Sequence, residues 1–181
     1  RPAAFSASSA SSPSSSRAAA SRRAIAASRR GGRSQERSGI MTQDSHKGLG
    51  GLGILAGGGP APGINAVIAA ATIRTRLEGL PVHGLLNGFA GLMAGDSDAI
   101  RSLEIDDVSR MHYRGGSMLG IARANPTRRE EDLDRVIAGL ESKGIDKLIT
   151  IGGDDTAYSA YRVSQQAQGR IAVAHVPKTI D

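Results

Sequence analysis

The chain has 181 residues, no cysteine, few aromatic side chains and a formal net charge of +6. Its length suffices for one domain with a real core. The missing thiols exclude a disulfide framework and a thiolate metal site. No apolar run approaches the roughly 18 residues a membrane helix needs, and the scarcity of rings argues against a stacking platform for single-stranded nucleic acid.

The charge is unevenly placed. Residues 1–47 hold eight arginines and Lys47 against Glu36 and Asp44, whereas residues 48–181 hold 14 basic and 15 acidic side chains. The basicity therefore belongs to the tail, and a nucleic-acid binder would need a basic face on the domain itself. Residues 1–40 are almost entirely Ser, Ala, Arg, Gly and Pro. They show no apolar periodicity and bury too little surface to offset chain entropy, so residues 1–47 are expected to form a disordered tail and residues 48–181 the domain. An Arg-rich, Ser-rich, acid-poor tail has the composition of an organelle transit peptide. A plain low-complexity extension, or an upstream stretch ahead of a start at Met41, fits equally, and with it a cytoplasmic location.

The domain begins with Leu52–Ala56, a short apolar run expected as a buried strand of a parallel sheet. Gly57-Gly58-Gly59-Pro60-Ala61-Pro62-Gly63 follows as a loop. Ile64–Glu78 reads as a helix whose inner face carries Ile64, Val67, Ile68 and Ala71, with Gly79 and Pro81 as stop signals. Pro81–Leu86 is the next strand, with His83 as a packed core residue. Gly88–Met93 reads as a turn or short helix, and Asp106–Arg110 as another short helix start. Arg114-Gly115-Gly116-Ser117-Met118-Leu119-Gly120 is a second glycine-rich turn that runs on to Arg123.

Glu130–Lys143 carries the strongest helical pattern. Leu133, Val136, Ile137 and Leu140 share one face, acids fill the first turn, Lys143 closes the last and Gly144 stands just beyond. Its charges are expected to form a solvated face. Asp146–Ile151 is a strand ending in Gly152-Gly153-Asp154-Asp155-Thr156, the next helix spans Thr156–Gln168, and Ile171–Val176 is a strand ending at Pro177-Lys178-Thr179-Ile180-Asp181. Strands alternating with helices define an α/β doubly wound sheet. In such sheets ligands bind beyond the carboxyl ends of the strands, where all three glycine- or lysine-bearing loops fall.

These loops suit phosphate chemistry. Glycines between strand and helix let backbone N–H groups approach an anion at a helix N-terminus; a tight turn would use the same glycines. Asp154 and Asp155 could hold Mg²⁺ together with phosphate oxygens, or Asp155 could cap the next helix. Lys178 could balance phosphate charge or be an exposed loop lysine, and Asp181 could be a general base or a turn residue. Together they suggest phosphoryl transfer, in which positioning and charge neutralisation supply most of the catalysis.

Four motifs in order, Gly58–Asn65, Arg114–Gly120, Gly152–Thr156 and Pro177–Asp181, resemble the successive motifs of the 6-phosphofructokinase family across residues 50–181. The resemblance implies a Rossmann-like, mainly parallel sheet, the first part of the family's larger lobe. It implies an enzyme that phosphorylates the 1-hydroxyl of fructose 6-phosphate in glycolysis. Gly58, Gly59, Asp155 and Thr156 would then face the phosphoryl donor, and Arg123 would stabilise the transferring group. Asp154 would contact Mg²⁺, Thr179 would touch the sugar phosphate, and Asp181 would be the base.

ATP-using members generally carry glycine where this chain has Asp155, and many carry it where this chain has Lys178. Pyrophosphate-using members typically carry aspartate and lysine. A carboxylate in the path of a nucleotide takes space and repels its phosphates, while a lysine compensates compact pyrophosphate charge. The resemblance therefore implies a pyrophosphate-dependent enzyme, with an ATP-dependent one and a non-catalytic nucleotide-binding module as alternatives. It also implies a homo-oligomer at full length, and no nucleic-acid or membrane partner. The chain stops before the Asn-Asp that follows in the family and lacks its second Mg²⁺-associated aspartate, nearly all fructose 6-phosphate contacts and its second lobe. This N-terminal fragment is accordingly expected to be inactive alone.

Overall fold

A computed structural model describes residues 50–178. Five strands form one sheet: β1 (Gly51–Ala56), β2 (Val82–Leu85), β3 (Ile100–Ser102), β4 (Ile145–Gly152) and β5 (Ala172–Pro177), in the spatial order β3-β2-β1-β4-β5. All neighbours are parallel except β2 and β3. The helices are α1 (Ile64–Leu77), α2 (Ala90–Ala94), α3 (Ile105–Val108), α4 (Glu130–Ser142) and α5 (Asp154–Ala167), with single 3₁₀ turns at Ser97–Ala99 and Pro126–Arg128.

Every residue of the central strand β1 is buried. Its side chains alternate between two cores, as the pleat requires. Ile54 joins Ile64, Ile68, Leu103 and Ile151 under α1 and α3. Leu55 joins Leu85, Leu133, Leu148 and Val163 under α2, α4 and α5. The doubly wound α/β architecture expected from the sequence is therefore present.

Helix α4 buries the four residues its periodicity marks, and Gly144 adopts the left-handed conformation that ends it, with φ 68°. Two details differ. Lys143 is the C-cap residue rather than a member of the last turn. Asp132 is 5 % exposed, so this face is not wholly solvated. Arg129 and Arg135 flank its carboxylate at 3.6 and 3.5 Å, which offsets the cost of burying the charge.

The inner face of α1 is rotated from the expected one. Asn65, Ala69 and Thr72 are buried with Ile64 and Ile68, whereas Val67 and Ala71 are only partly covered. The rotation follows from Asn65, whose side chain has backbone partners deep in the fold. Strand β3 has no counterpart in the sequence pattern: it is three residues long, largely exposed, and pairs through Leu85 with Ile100 and Gly84 with Arg101. A short antiparallel edge strand needs no apolar run, which is the signal that marks the other strands.

His83 is only half-buried in β2 and belongs to neither core cluster, so it is not the packed core residue expected: it lies on the less covered face of the strand. Burial pushes its pKa down, helped by the charges of Lys143 and Arg76. At the far edge β5 has β4 on one side, and Ala172, Ala174 and Pro177 are exposed. Among the described residues no helix is long and apolar enough to cross a membrane.

Thr72 is fully buried in α1, and among the described residues its hydroxyl has no hydrogen-bond partner. An orphaned buried hydroxyl costs on the order of 1–3 kcal/mol. Thr72→Val keeps the shape and removes the polar atom. We expect it to raise the stability measured by urea unfolding by about 1 kcal/mol.

Candidate functional site

The carboxyl ends of β1, β4 and β5 lie side by side, because parallel pairing sets Ala56 opposite Ile151 and Ile151 opposite Val176. Beyond β1, the Gly57 N–H donates to the Ile151 carbonyl at 2.8 Å and the Gly58 N–H donates to the Ala122 carbonyl at 3.2 Å. Gly58 and Gly63 occupy the left-handed region, with φ 84° and 86°. Open space surrounds the position a Cβ would take on Gly59. The loop has the backbone conformations that an anion cradle and a tight turn share. The Gly58 amide is already bonded within the protein, so the N–H groups left for an anion are those of Gly59, Ala61, Gly63 and the first turn of α1.

That first turn is chemically bare. Gly63 caps α1 with no side-chain hydrogen bond, and the turn holds no acid. A 14-residue helix with an unneutralised N-terminus and a neighbouring glycine loop favours an anion there.

Beyond β4 the arrangement is the opposite. Gly153 is the N-cap and α5 starts at Asp154, so Asp154 and Asp155 lie in the first helical turn and not in a loop ahead of it. The sequence pattern starts this helix at Thr156; aspartate in a first turn is stabilised by the helix dipole, which draws the helix start back onto the pair. Both are exposed. The Ser159 hydroxyl donates to the Asp155 carbonyl at 2.8 Å.

Thr156 is 7 % exposed and is wedged between the two glycine-terminated strands. A Cβ on Gly57 would stand 2.5 Å from its Oγ1, and a Cβ on Gly152 would overlap it as well. Both glycines are thus needed because Thr156 fills the space a side chain would take.

Beyond β5, the Lys178 N–H donates to the Gly152 carbonyl at 2.9 Å, which fixes the exit of the strand. The Lys178 Nζ lies 3.4 Å from where a Cβ on Gly58 would stand, so its ammonium reaches over the cradle. One strand position earlier than Val176, His175 shares a 2.9 Å hydrogen bond with Thr150 through Nδ1. Burial lowers the pKa of His175, against a backbone hydrogen bond to Gly152 and the Asp154 carboxylate, which raise it.

Arg123 arrives from the loop after α3. Ala122 pairs with Gly57 in a short parallel bridge, which sets the next residue beside the cradle. The exposed Arg123 side chain lines a cleft of about 250 Å³ together with Asn125, Arg128, Arg129 and the buried Asp132. The sequence gives little sign of this cluster beyond the run of charges at 128–132. Asn65, 2 % exposed, closes the first sequence motif, but nothing in the sequence marks its bonds to Arg114 and Met118.

The fold therefore brings Gly58, Gly59, Arg123, Asp154, Asp155, Thr156 and Lys178 to one end of the sheet. Thr179 and Asp181 lie outside the described residues, as does the tail of residues 1–47. Among the described residues no group of three or more His, Cys, Asp or Glu forms a metal cage. Asp154 and Asp155, exposed in the first turn of α5, are the carboxylates that could hold Mg²⁺ together with phosphate oxygens, since this ion commonly binds through one or two carboxylates plus phosphates.

The described residues thus form a doubly wound α/β domain whose glycine loop, Lys178 and acidic α5 N-terminus meet at one end of the sheet. The family model for phosphofructokinase matches residues 51–181, and the chain belongs to that family. It is 52 % identical over 130 residues to the pyrophosphate–fructose 6-phosphate 1-phosphotransferase of Thermotoga maritima, covering 72 % of this chain and 31 % of that protein. It is 39 % identical over 130 residues to the ATP-dependent 6-phosphofructokinase of Lactiplantibacillus plantarum, covering 72 % and 39 %. Among solved structures, it resembles phosphofructokinase from Pichia pastoris with a TM-score of 0.66 and 25 % identity, over 73 % of this chain and 16 % of that one. The chain spans about a third of the length of the curated relatives it matches.

Gly57→Ala should destabilise the domain by about 1–3 kcal/mol through overpacking against the Thr156 Oγ1 and Cγ2, and Thr156→Ala in the same chain should recover part of the loss in urea unfolding. His83 and His175 both titrate below 6.5 in the folded state. Between the folded and unfolded pKa values the unfolded chain binds more protons, so this contribution to stability is complete above the unfolded value and lost as pH falls through the folded one. Melting temperature should drop on acidification below pH 6.5, and glutamine at both positions should flatten that part of the profile.

Proposed function

We propose that this chain forms the phosphoryl-donor side of a phosphofructokinase that uses pyrophosphate. In the reaction, the 1-hydroxyl oxygen of fructose 6-phosphate attacks one phosphorus of pyrophosphate. The bridging P–O bond breaks, a new P–O bond forms, and fructose 1,6-bisphosphate and orthophosphate leave. On the family resemblance, Asp181 takes the hydroxyl proton and Thr179 contacts the sugar phosphate.

The observation that carries this reading is the separation of charge at the strand ends. The α1 N-terminus holds no acid and Lys178 reaches over Gly58, while both carboxylates stand at the start of α5. The donor phosphates belong at the Gly59 amide and the first turn of α1. Lys178 and Arg123 neutralise charge as it shifts to the leaving and transferring groups. Asp154 would hold Mg²⁺ jointly with donor oxygens, and the ion would supply further charge neutralisation. Thr156 contributes by holding Gly57 and Gly152 at their spacing.

Asp155 favours pyrophosphate over ATP. Its exposed carboxylate stands in the first turn of α5, beside the metal-binding candidate. A donor that extends past two phosphates meets this negative charge, whereas pyrophosphate ends before it. Similarity to the pyrophosphate-using Thermotoga maritima relative supports the same choice. The ATP-dependent alternative is favoured by one finding, the match of an ATP-dependent relative over the same share of the chain.

A donor competition assay on the gene product that contains this chain separates the two. Pyrophosphate should support fructose 1,6-bisphosphate formation and ATP should not. Asp155→Gly should raise turnover with ATP by about 10-fold or more, since it removes a like-charge contact. Turnover with ATP alone in the unmodified protein would refute the pyrophosphate reading.

A further inference from the structure

We propose that Asn65 is a positioning residue that ties the anion-binding end of α1 to the loop delivering Arg123; the proposal rests on the phosphotransfer reading above. Asn65 is the second residue of α1, two positions after the cradle closes at Gly63. It is 2 % exposed, and both polar atoms of its amide have backbone partners. Nδ2 donates to the Arg114 carbonyl at 2.9 Å, and Oδ1 accepts from the Met118 N–H at 2.8 Å. The partners fix the orientation of the amide, because a carbonyl can only accept and an N–H can only donate.

The two partners bracket Gly115, Gly116 and Ser117. From Met118 the chain runs to Arg123 with Leu119 buried in the core under α1 and Met118 and Ile121 packed against that core. Leu119 accepts a hydrogen bond from the Asn87 N–H at 2.8 Å, and Ala122 accepts one from the Gly58 N–H at 3.2 Å. Gly120 sits at φ 71°, against the Asn87 side chain. Among the described residues, no helix or multi-residue strand lies between α3 and the turn at Pro126–Arg128. The position of Arg123 against the cradle thus depends on this packing and on a few point attachments, and Asn65 supplies two of them from the helix that faces the anion.

One planar amide carrying a donor and an acceptor suits this task, and its usual replacements do not. Asn65→Asp would set a carboxylate oxygen against the Arg114 carbonyl while keeping the Met118 bond. Alanine would leave both backbone groups without these partners. Because α1 carries the anion site at one end and this anchor in its first turn, displacement of the loop and displacement of the cradle are mechanically linked.

The test uses the gene product that contains this chain, with Asn65→Asp, Asn65→Ala, Arg123→Ala and the Asn65→Ala/Arg123→Ala pair. Both Asn65 variants should speed hydrogen exchange at residues 114–120; Met118 should respond most in Asn65→Ala. They should lower kcat by about 10²-fold, the cost of a small misplacement of a reacting group, with a smaller change in the KM for pyrophosphate. In the Arg123→Ala background, Asn65→Ala should cost little further kcat, because the two substitutions remove one action. Fully additive losses, or a lower melting temperature with unchanged exchange at 114–120 and unchanged kcat, would overturn the positioning role. Wild-type kcat in Arg123→Ala would overturn instead the phosphotransfer role on which it rests.

Discussion

The parallel pairing of β1 with β4 is the constraint on which the rest of the site depends. It carries both strands to the same level, and the Gly57 N–H extends the ladder one step past the strand by donating to Ile151. Two chains that diverge immediately afterwards must therefore pass within contact distance. Only residues without side chains can do so here, because Thr156 occupies the gap between Gly57 and Gly152. The sheet, the wedge and the glycines form one mechanical unit, and the functional loops start from its upper rim.

From that rim, electrostatics separates what packing has brought together. The two helices that begin there, α1 and α5, present the same kind of N-terminus, yet one lacks acids and the other starts with two. The first is left to attract an anion from outside; the second has its dipole partly answered by its own residues. Lys178 adds a cation over the first and its backbone is anchored to the strand leading to the second. Opposite charge preferences within a few residues of one another are what a metal–phosphate complex requires.

Much of this is legible in the residues. The alternation of apolar runs and helical periodicity names the parallel strands and the three long helices, and α4 reads to within a residue because its periodicity and capping signals agree. The glycine and lysine loops can be placed because strand order alone puts them at one end. What escapes notice depends on tertiary contact. Asn65 rotates α1 by forming bonds to a loop 49 and 53 residues away, which no local window can register. The burial of Asp132 depends on arginines that sequence spacing makes equally available to solvent. Asp154 and Asp155 look like loop carboxylates in the sequence, although the same dipole argument that explains the acids of α4 assigns them to a helix. Thr156 reads as a donor-side hydroxyl, and its role as a spacer becomes visible only when the glycines beside it are considered as places where a side chain could not go.

The outer edge of β5 carries a practical consequence of a different kind. Ala172, Ala174 and Pro177 are exposed, and among the described residues that edge has no partner strand. Lysines and bulges are the usual means by which edge strands avoid pairing with other molecules, and proline is another. Here the lysine and the proline come only at its end: Lys178 is turned inward over the cradle, and Pro177 blunts the final position alone. An edge left uncovered presents unpaired N–H and C=O groups on which a further strand could pair, so the strand that leads to the site is also the place where the sheet can be extended.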